Sequence, residues 1–182
     1  MNKNNNLWHV FIVLLTLSFA SSVAQAEPSR DECLQRASTE LFGVKLLCAS
    51  RAELRAAMGK TKARVVREID RTGSDVYQSG DYIVVVLFYH SDKFVGAKYT
   101  YKKSEKQPKY INLVKVLTRR YGEPKSSQGG VDDKSVSREW HTKDGASIKL
   151  YRQSNSGVIN LAYFFSDRRK VMVQEQKAAQ KR

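Results

Sequence analysis

The sequence is short of the residues with which proteins usually do chemistry. It has three histidines and two cysteines in 182 residues, and His9 falls in the leader described below. It contains no phosphate-binding glycine loop, G-x-S-x-G elbow, H-E-x-x-H zinc motif or C-x-x-C redox pair. Acidic side chains are also scarce, 18 against 32 lysines and arginines, for a net charge of +14. A long apolar run is missing too: Leu7 to Phe19 is too short to span a bilayer comfortably, and no stop-transfer pattern follows it. These absences leave no candidate catalytic residue, metal ligand set or cofactor, and the chain is read as a protein that is not an enzyme.

What is present begins with that leader. Met1 to Asn6 carry one lysine, an apolar stretch follows, and Ala24-Gln25-Ala26 supplies small residues at the spacing a signal peptidase reads. Residues 1–26 are therefore expected to be a secretory signal peptide, with a mature chain beginning near Glu27 that is periplasmic or secreted. No cysteine lies at the cleavage point for lipid attachment, and no transmembrane segment is expected after cleavage. In an oxidising compartment a lone pair of cysteines becomes a disulfide, so Cys33 and Cys48 are expected to be bonded. A loop of that length is worth roughly 3 kcal/mol in the chain-entropy model.

The remaining chain suits one domain with its own core. Ser29-Arg30-Asp31-Glu32 and Ser50-Arg51-Ala52-Glu53 are S-x-x-E capping boxes. They predict helices from Arg30 to about Phe42, closed by Gly43, and from Ser50 through Met58, closed by Gly59, with a short strand at Val44 to Leu47 between them. Arg64 to Ile69 and Tyr82 to Tyr89 read as strands, the second largely buried. Ser91-Asp92-Lys93 then turns the chain into an antiparallel partner at Phe94 to Tyr101. Pro108 marks a third helix whose apolar stripe is Tyr110, Leu113, Val114, Leu117 and Tyr121. After a polar loop at Lys125 to Lys134 come strands at Val136 to Thr142, Ala146 to Tyr151 and Val158 to Phe165. The expectation is an α+β domain over residues 27–166, an antiparallel sheet with helices on one face, followed by a charged tail at 167–182. Two similarities hint at internal duplication: Tyr89-His90-Ser91 with Trp140-His141-Thr142, and Met58-Gly59-Lys60 with Tyr121-Gly122-Glu123.

One segment carries a family resemblance. Val44-Lys45-Leu46-Leu47-Cys48-Ala49-Ser50-Arg51-Ala52-Glu53-Leu54-Arg55-Ala56-Ala57-Met58-Gly59 resembles the strand, turn, capped helix and glycine that open the BamE/SmpA-like envelope modules. The resemblance implies a small periplasmic α+β fold with a noncatalytic role in outer-membrane assembly. The chain has Lys60-Thr61 where that family carries a proline.

The strongest functional signal is a basic segment interleaved with tyrosines, which Glu105 alone interrupts in sign. Lys98, Tyr101, Lys102, Lys103, Lys106, Lys109, Lys115, Arg119 and Arg120 are the candidate partner-binding residues. Arg51, Arg55, Lys60, Lys62, Arg64 and Arg67 would extend the patch if the second helix packs alongside. Charge steers an anionic partner and aromatic area supplies burial. For an exported protein that partner is an acidic protein, an assembly factor or an anionic envelope polymer, and nucleic acid is not expected. The alternative is a periplasmic inhibitor or immunity protein against a cell-wall or lipid hydrolase. His90 and His141 each follow an aromatic residue near a turn, where an exposed or capping role is expected.

Overall fold

The computed structural model describes residues 29–69, 73–80, 83–104, 108–130, 133, 135–152 and 156–179. Residues 1–28, which include the expected signal peptide, lie outside the described residues, as do Tyr82, Lys106 and residues 180–182.

Both capping boxes form. Ser29 opens α1 (Arg30–Arg36) with Glu32 closing the reciprocal bond, and Ser50 opens α2 (Arg51–Gly59) with Glu53. Helix α1 is shorter than its sequence suggests. Past Arg36 the backbone donors of Ser38 and Thr39 go to the Asp144 carboxylate, at 2.8 and 2.7 Å, instead of continuing a helical ladder. The chain then makes a two-stranded hairpin, β1 (Glu40–Leu41) and β2 (Val44–Lys45). Phe42 and Gly43 turn it, with φ of 55° and 77°, the pair of positive values that a two-residue hairpin turn requires. Gly43 is thus a hairpin residue and not a helix stop. The strand expected through Leu47 ends at Lys45, and a 3-10 turn, Leu46–Cys48, leads into α2.

The main sheet has eight antiparallel strands. The first four are β3 (Arg64–Ile69), β4 (Ser74–Ser79), β5 (Ile83–His90) and β6 (Lys93–Tyr101). Helix α3 (Tyr110–Tyr121) then leads to β7 (Ser126–Gln128), β8 (Val136–His141), β9 (Ala146–Arg152) and β10 (Ile159–Phe165). The spatial order is β3-β4-β5-β6-β10-β9-β8-β7. This is an α+β architecture: α2 and α3 each precede a four-stranded meander, and the last strands of the two meanders pair. Gly59 and Gly122 are not equivalent, since Gly59 is the last residue of α2 with Lys60 as its cap, whereas Gly122 itself caps α3 at a φ of 82°. Nor are His90 and His141, since one ends β5, the third strand of its meander, and the other ends β8, the second of its own.

Strands β4 and β7 were not legible as strands. In β4, Ser74, Asp75, Gln78 and Ser79 outnumber the apolar residues, and pairing to β5 supplies the order that propensity does not. Helix α3 begins two residues after Pro108, and its stripe packs as expected, with Tyr110 and Leu117 buried. Where a tail was expected, α4 (Ser166–Ala179) follows β10 directly. Its anchor is Arg168, which donates to the backbone oxygens of Phe94 (2.9 Å) and Leu47 (2.7 Å).

One core fills the space between the sheet and the layer of α2 and α3. Leu54 and Met58 of α2 and Tyr110 and Leu117 of α3 meet Tyr77, Leu87, Trp140, Ile148, Leu150 and Leu161 from the sheet. Trp140 is fully buried, and its indole N–H donates to Gly122 O at 2.9 Å, tying β8 to the end of α3. At the centre of the sheet Gly96 lies beneath Phe164. A β-carbon there would sit 2.3 Å from the Phe164 ring and 2.7 Å from Tyr163 O.

Cys33 and Cys48 are bonded, joining α1 to the 3-10 turn ahead of α2. Breaking this bond with Cys33→Ser and Cys48→Ser together should lower stability by roughly 3 kcal/mol, from a sequence separation of 15 residues. Denaturant unfolding of the oxidised protein and the double variant measures it. Gly96→Ala should cost about 1–3 kcal/mol by overpacking. An unchanged unfolding midpoint would show that the strands can part at no cost.

Candidate functional site

Cross-strand partners share a face of a sheet. One row, Asp75, Leu87, Ala97, Tyr163, Ile148 and Trp140, faces the helices and the core. The neighbouring row, Val76, Val86, Lys98, Ala162, Lys149 and Glu139, faces the other way. Among the described residues the element packed on this outer face is α4, which contacts β6 and β10, the two central strands. Between the face and α4 lies a groove of about 1120 Å³.

The groove has an aromatic and a cationic component. Phe88 and Phe164 lie side by side, ring centroids 6.2 Å apart, and the Arg169 guanidinium caps Phe164 at 4.6 Å. Tyr151 and Ala162 continue the apolar floor. Lys98, Lys149, Arg169 and Lys170 line the groove together with the carboxylate of Glu139, and Lys170 lies 3.7 Å from Asp167, whereas the Arg152 guanidinium turns to the other side of the sheet, over the Tyr110 ring at 5.7 Å. Lys98 and Lys149 flank Ala162 in register, so their strands stand about 10 Å apart with β10 between. A groove of this kind attracts anions by charge and holds them through flat apolar area.

The structure divides the basic segment singled out in the sequence. Lys98 points to the outer face, whereas Lys115, Arg119 and Arg120 are exposed on α3, on the opposite side of the sheet. Arg120 lies over the Tyr121 ring at 5.5 Å and reaches Glu40 O. Lys102, Lys103 and Lys109 are exposed at the end of β6 and the start of α3. Tyr101 is half-buried and stacks on Tyr99 at 6.5 Å, on the core side. The run therefore does not form one patch. Lys149, Arg169 and Lys170, which do join Lys98, are far from it in sequence. Alternation along β9 could have signalled Lys149, but nothing in the sequence places α4 beside it.

The second-helix cations separate in the same way. Arg51 and Arg55, one helical turn apart, both close on the Asp75 carboxylate. Arg51 donates at 3.2 and 2.7 Å and Arg55 at 2.9 and 2.8 Å. Asp75 is fully buried, so these two cations are structural. Burial alone would raise the Asp75 pKa, but the two guanidinium forks outweigh it and hold the carboxyl below its ordinary value. Asp144 behaves alike. Burial opposes its ionisation, yet hydrogen bonds from the Thr142 hydroxyl, from the backbone and hydroxyl of Thr39 and from the Ser38 backbone lower its pKa.

The two histidines stay apart. His90 Nε2 is 3.3 Å from Glu175 of α4, and His141 Nε2 is 3.1 Å from Glu139, with β6, β10 and β9 between their strands. Among the described residues no three His, Cys, Asp or Glu side chains converge as a metal site, and no helix is long and apolar enough to cross a membrane.

No family model matches the chain, and no curated protein matches it. Among solved structures, a DUF4309 family protein (YjgB) from Bacillus subtilis subsp. subtilis str. 168 is similar over 72% of this chain and 90% of its own. The identity is 14% and the TM-score 0.42, too low to bear on fold or function.

The carboxylate geometry sets an acid response. Because both folded pKa values are depressed, the stability that Asp75 and Asp144 contribute is present above their unfolded value of about 3.9 and is lost as pH falls through the folded values. Unfolding free energy should therefore drop below about pH 4. Asp75→Asn should flatten part of that drop and cost about 2–3 kcal/mol at pH 7, the low end for a broken buried pair because both arginines can reach water. Denaturant titrations from pH 7 to pH 2 test both statements.

Proposed function

We propose that the chain is an exported, noncatalytic envelope protein that holds an anionic macromolecular partner in the groove of its outer face. The observation that carries this reading is the composition of that groove, in which Lys98, Lys149, Arg169 and Lys170 gather with the carboxylate of Glu139 around Phe88, Tyr151 and Phe164. The leader and the Cys33–Cys48 bond support an oxidising compartment. There the available polyanions are acidic proteins, assembly factors and envelope polymers. The resemblance of Val44 to Gly59 to BamE/SmpA-like modules favours the same class of role. A sheet face is rigid, so little ordering entropy opposes binding there.

Polyglutamate and lipopolysaccharide serve as probes for an acidic protein and an anionic polymer. Binding of at least one to the mature chain should be saturable. It should weaken steeply as salt rises from 0.1 to 1 M, where the Debye length falls from about 10 Å to about 3 Å. Lys98→Glu with Lys149→Glu should cost about tenfold or more in affinity, whereas Lys115→Glu with Arg119→Glu should change it little. Affinity that is flat with salt and indifferent to the Lys98 and Lys149 pair, in a folded protein, would place the functional surface elsewhere.

A further inference from the structure

The margin of the sheet beyond the groove presents a second and different surface. Among the described residues strand β3 pairs only with β4, so its other side carries no ladder there from Arg64 to Glu68. It is exposed along its length to Glu68, and Val65 and Val66 keep 53% and 54% of their surface in water. The opposite margin is unlike it, since β7 is only three residues long, Ser126–Gln128, and wholly polar.

The side chains of β3 are sorted by face. Arg64 and Arg67 pair with Gln78 and Val76, which places them on the outer, cationic side of the sheet. Val65 pairs with Tyr77 on the core side, and Val66 is the extra residue at the register shift beside it. Lys60 and Lys62 lie exposed just ahead of the strand. The one acid of β3, Glu68, is held by Arg55 at 3.0 Å. A strand added to this margin would therefore meet positive charge on one face and bare valine on the other.

Side chains of an extended segment alternate between faces, so the matching occupant is one in which acidic and apolar residues alternate. We infer that β3 takes such a segment of a partner protein as a ninth strand. A second copy of this chain fits less well, because an antiparallel β3–β3 pair centred between Val65 and Val66 sets Arg64 of each copy opposite Arg67 of the other, and like charges across a ladder destabilise it. The cationic edge thus blocks self-association and selects an acidic strand. This surface is separate from the groove, and the two can be tested independently.

The probe is a labelled decapeptide of alternating aspartate and valine, titrated into the mature chain by fluorescence anisotropy, with hydrogen exchange read by mass spectrometry on the same complex. Saturable binding with slowed exchange at 64–69 supports the inference. So does a loss of about tenfold or more on Arg64→Glu with Arg67→Glu, with Lys98→Glu and Lys149→Glu leaving that affinity unchanged. A peptide of the same composition with its aspartates grouped at one end should bind more weakly, because only the alternating order matches the two faces. Protection confined to β9 and β10, equal affinity for both peptides, or indifference to the arginine pair would overturn it. Sedimentation of the chain alone as a dimer, abolished by Val66→Asp, would overturn it in favour of a second copy.

Discussion

The pairing of β6 with β10 is the constraint from which the other features follow. Each four-stranded meander has a helix to cover one face, but each also has two margins, and an isolated meander would leave a long apolar strand unpaired. Joining the two meanders through β6 and β10 hides their most apolar edges at the centre of one sheet. Close contact there requires that Gly96 have no side chain, because Phe164 occupies the space above it. The same contact holds Phe164 beside Phe88, the rings tilted by 31°, so the residue that closes the seam also forms the floor of the groove.

Charge is distributed by a related logic. The chain has few carboxylates, and several of them are spent inside the structure. Asp75 neutralises Arg51 and Arg55 beneath β4, Asp144 accepts donors from the segment after α1, and Glu53 caps α2 while pairing with Arg30. Glu68 is paired with Arg55. Three of these carboxylates are matched by the three arginines Arg30, Arg51 and Arg55, so the pairs cancel in sign and the surplus of cations stays at the surface. Helix packing on the core side leaves that surplus on α3, around the groove and along β3. An even spread would serve solubility, whereas the outer face gathers Lys98, Lys149, Arg169 and Lys170 about two phenylalanines.

The parts that were legible in the sequence are those fixed by local chemistry. Both capping boxes, the Ser91-Asp92 hairpin, the stripe of α3 and the final three strands depend on residues within one or two turns of each other. The disulfide followed from compartment and count. Features set by distant partners were not legible. Asp144 lies more than a hundred residues from the Ser38 and Thr39 donors that end α1. Strand β4 takes its order from β5, and α4 is held by Arg168 reaching the backbone of Phe94 and Leu47. The candidate basic segment is divided for the same reason: a run of cations in sequence crosses from a strand to a helix, and a sheet lies between the two.

That separation has a mechanical consequence. Because Lys98 and Lys149 stand on neighbouring but nonadjacent strands of one hydrogen-bonded sheet, their spacing is set by the ladder and not by flexible loops. Cations on α3 or on the Lys102–Lys103 connection have no such fixed partner. The strands fix where the two lysine side chains leave the sheet, so in the proposed binding the ordering that remains is that of the side chains themselves. The β3 margin extends this fixed array, since Arg67, Val76, Val86 and Lys98 lie on one line across the sheet. Val76 and Val86 separate Arg67 from Lys98 on that line, so the edge and the groove are distinct cationic regions of one face.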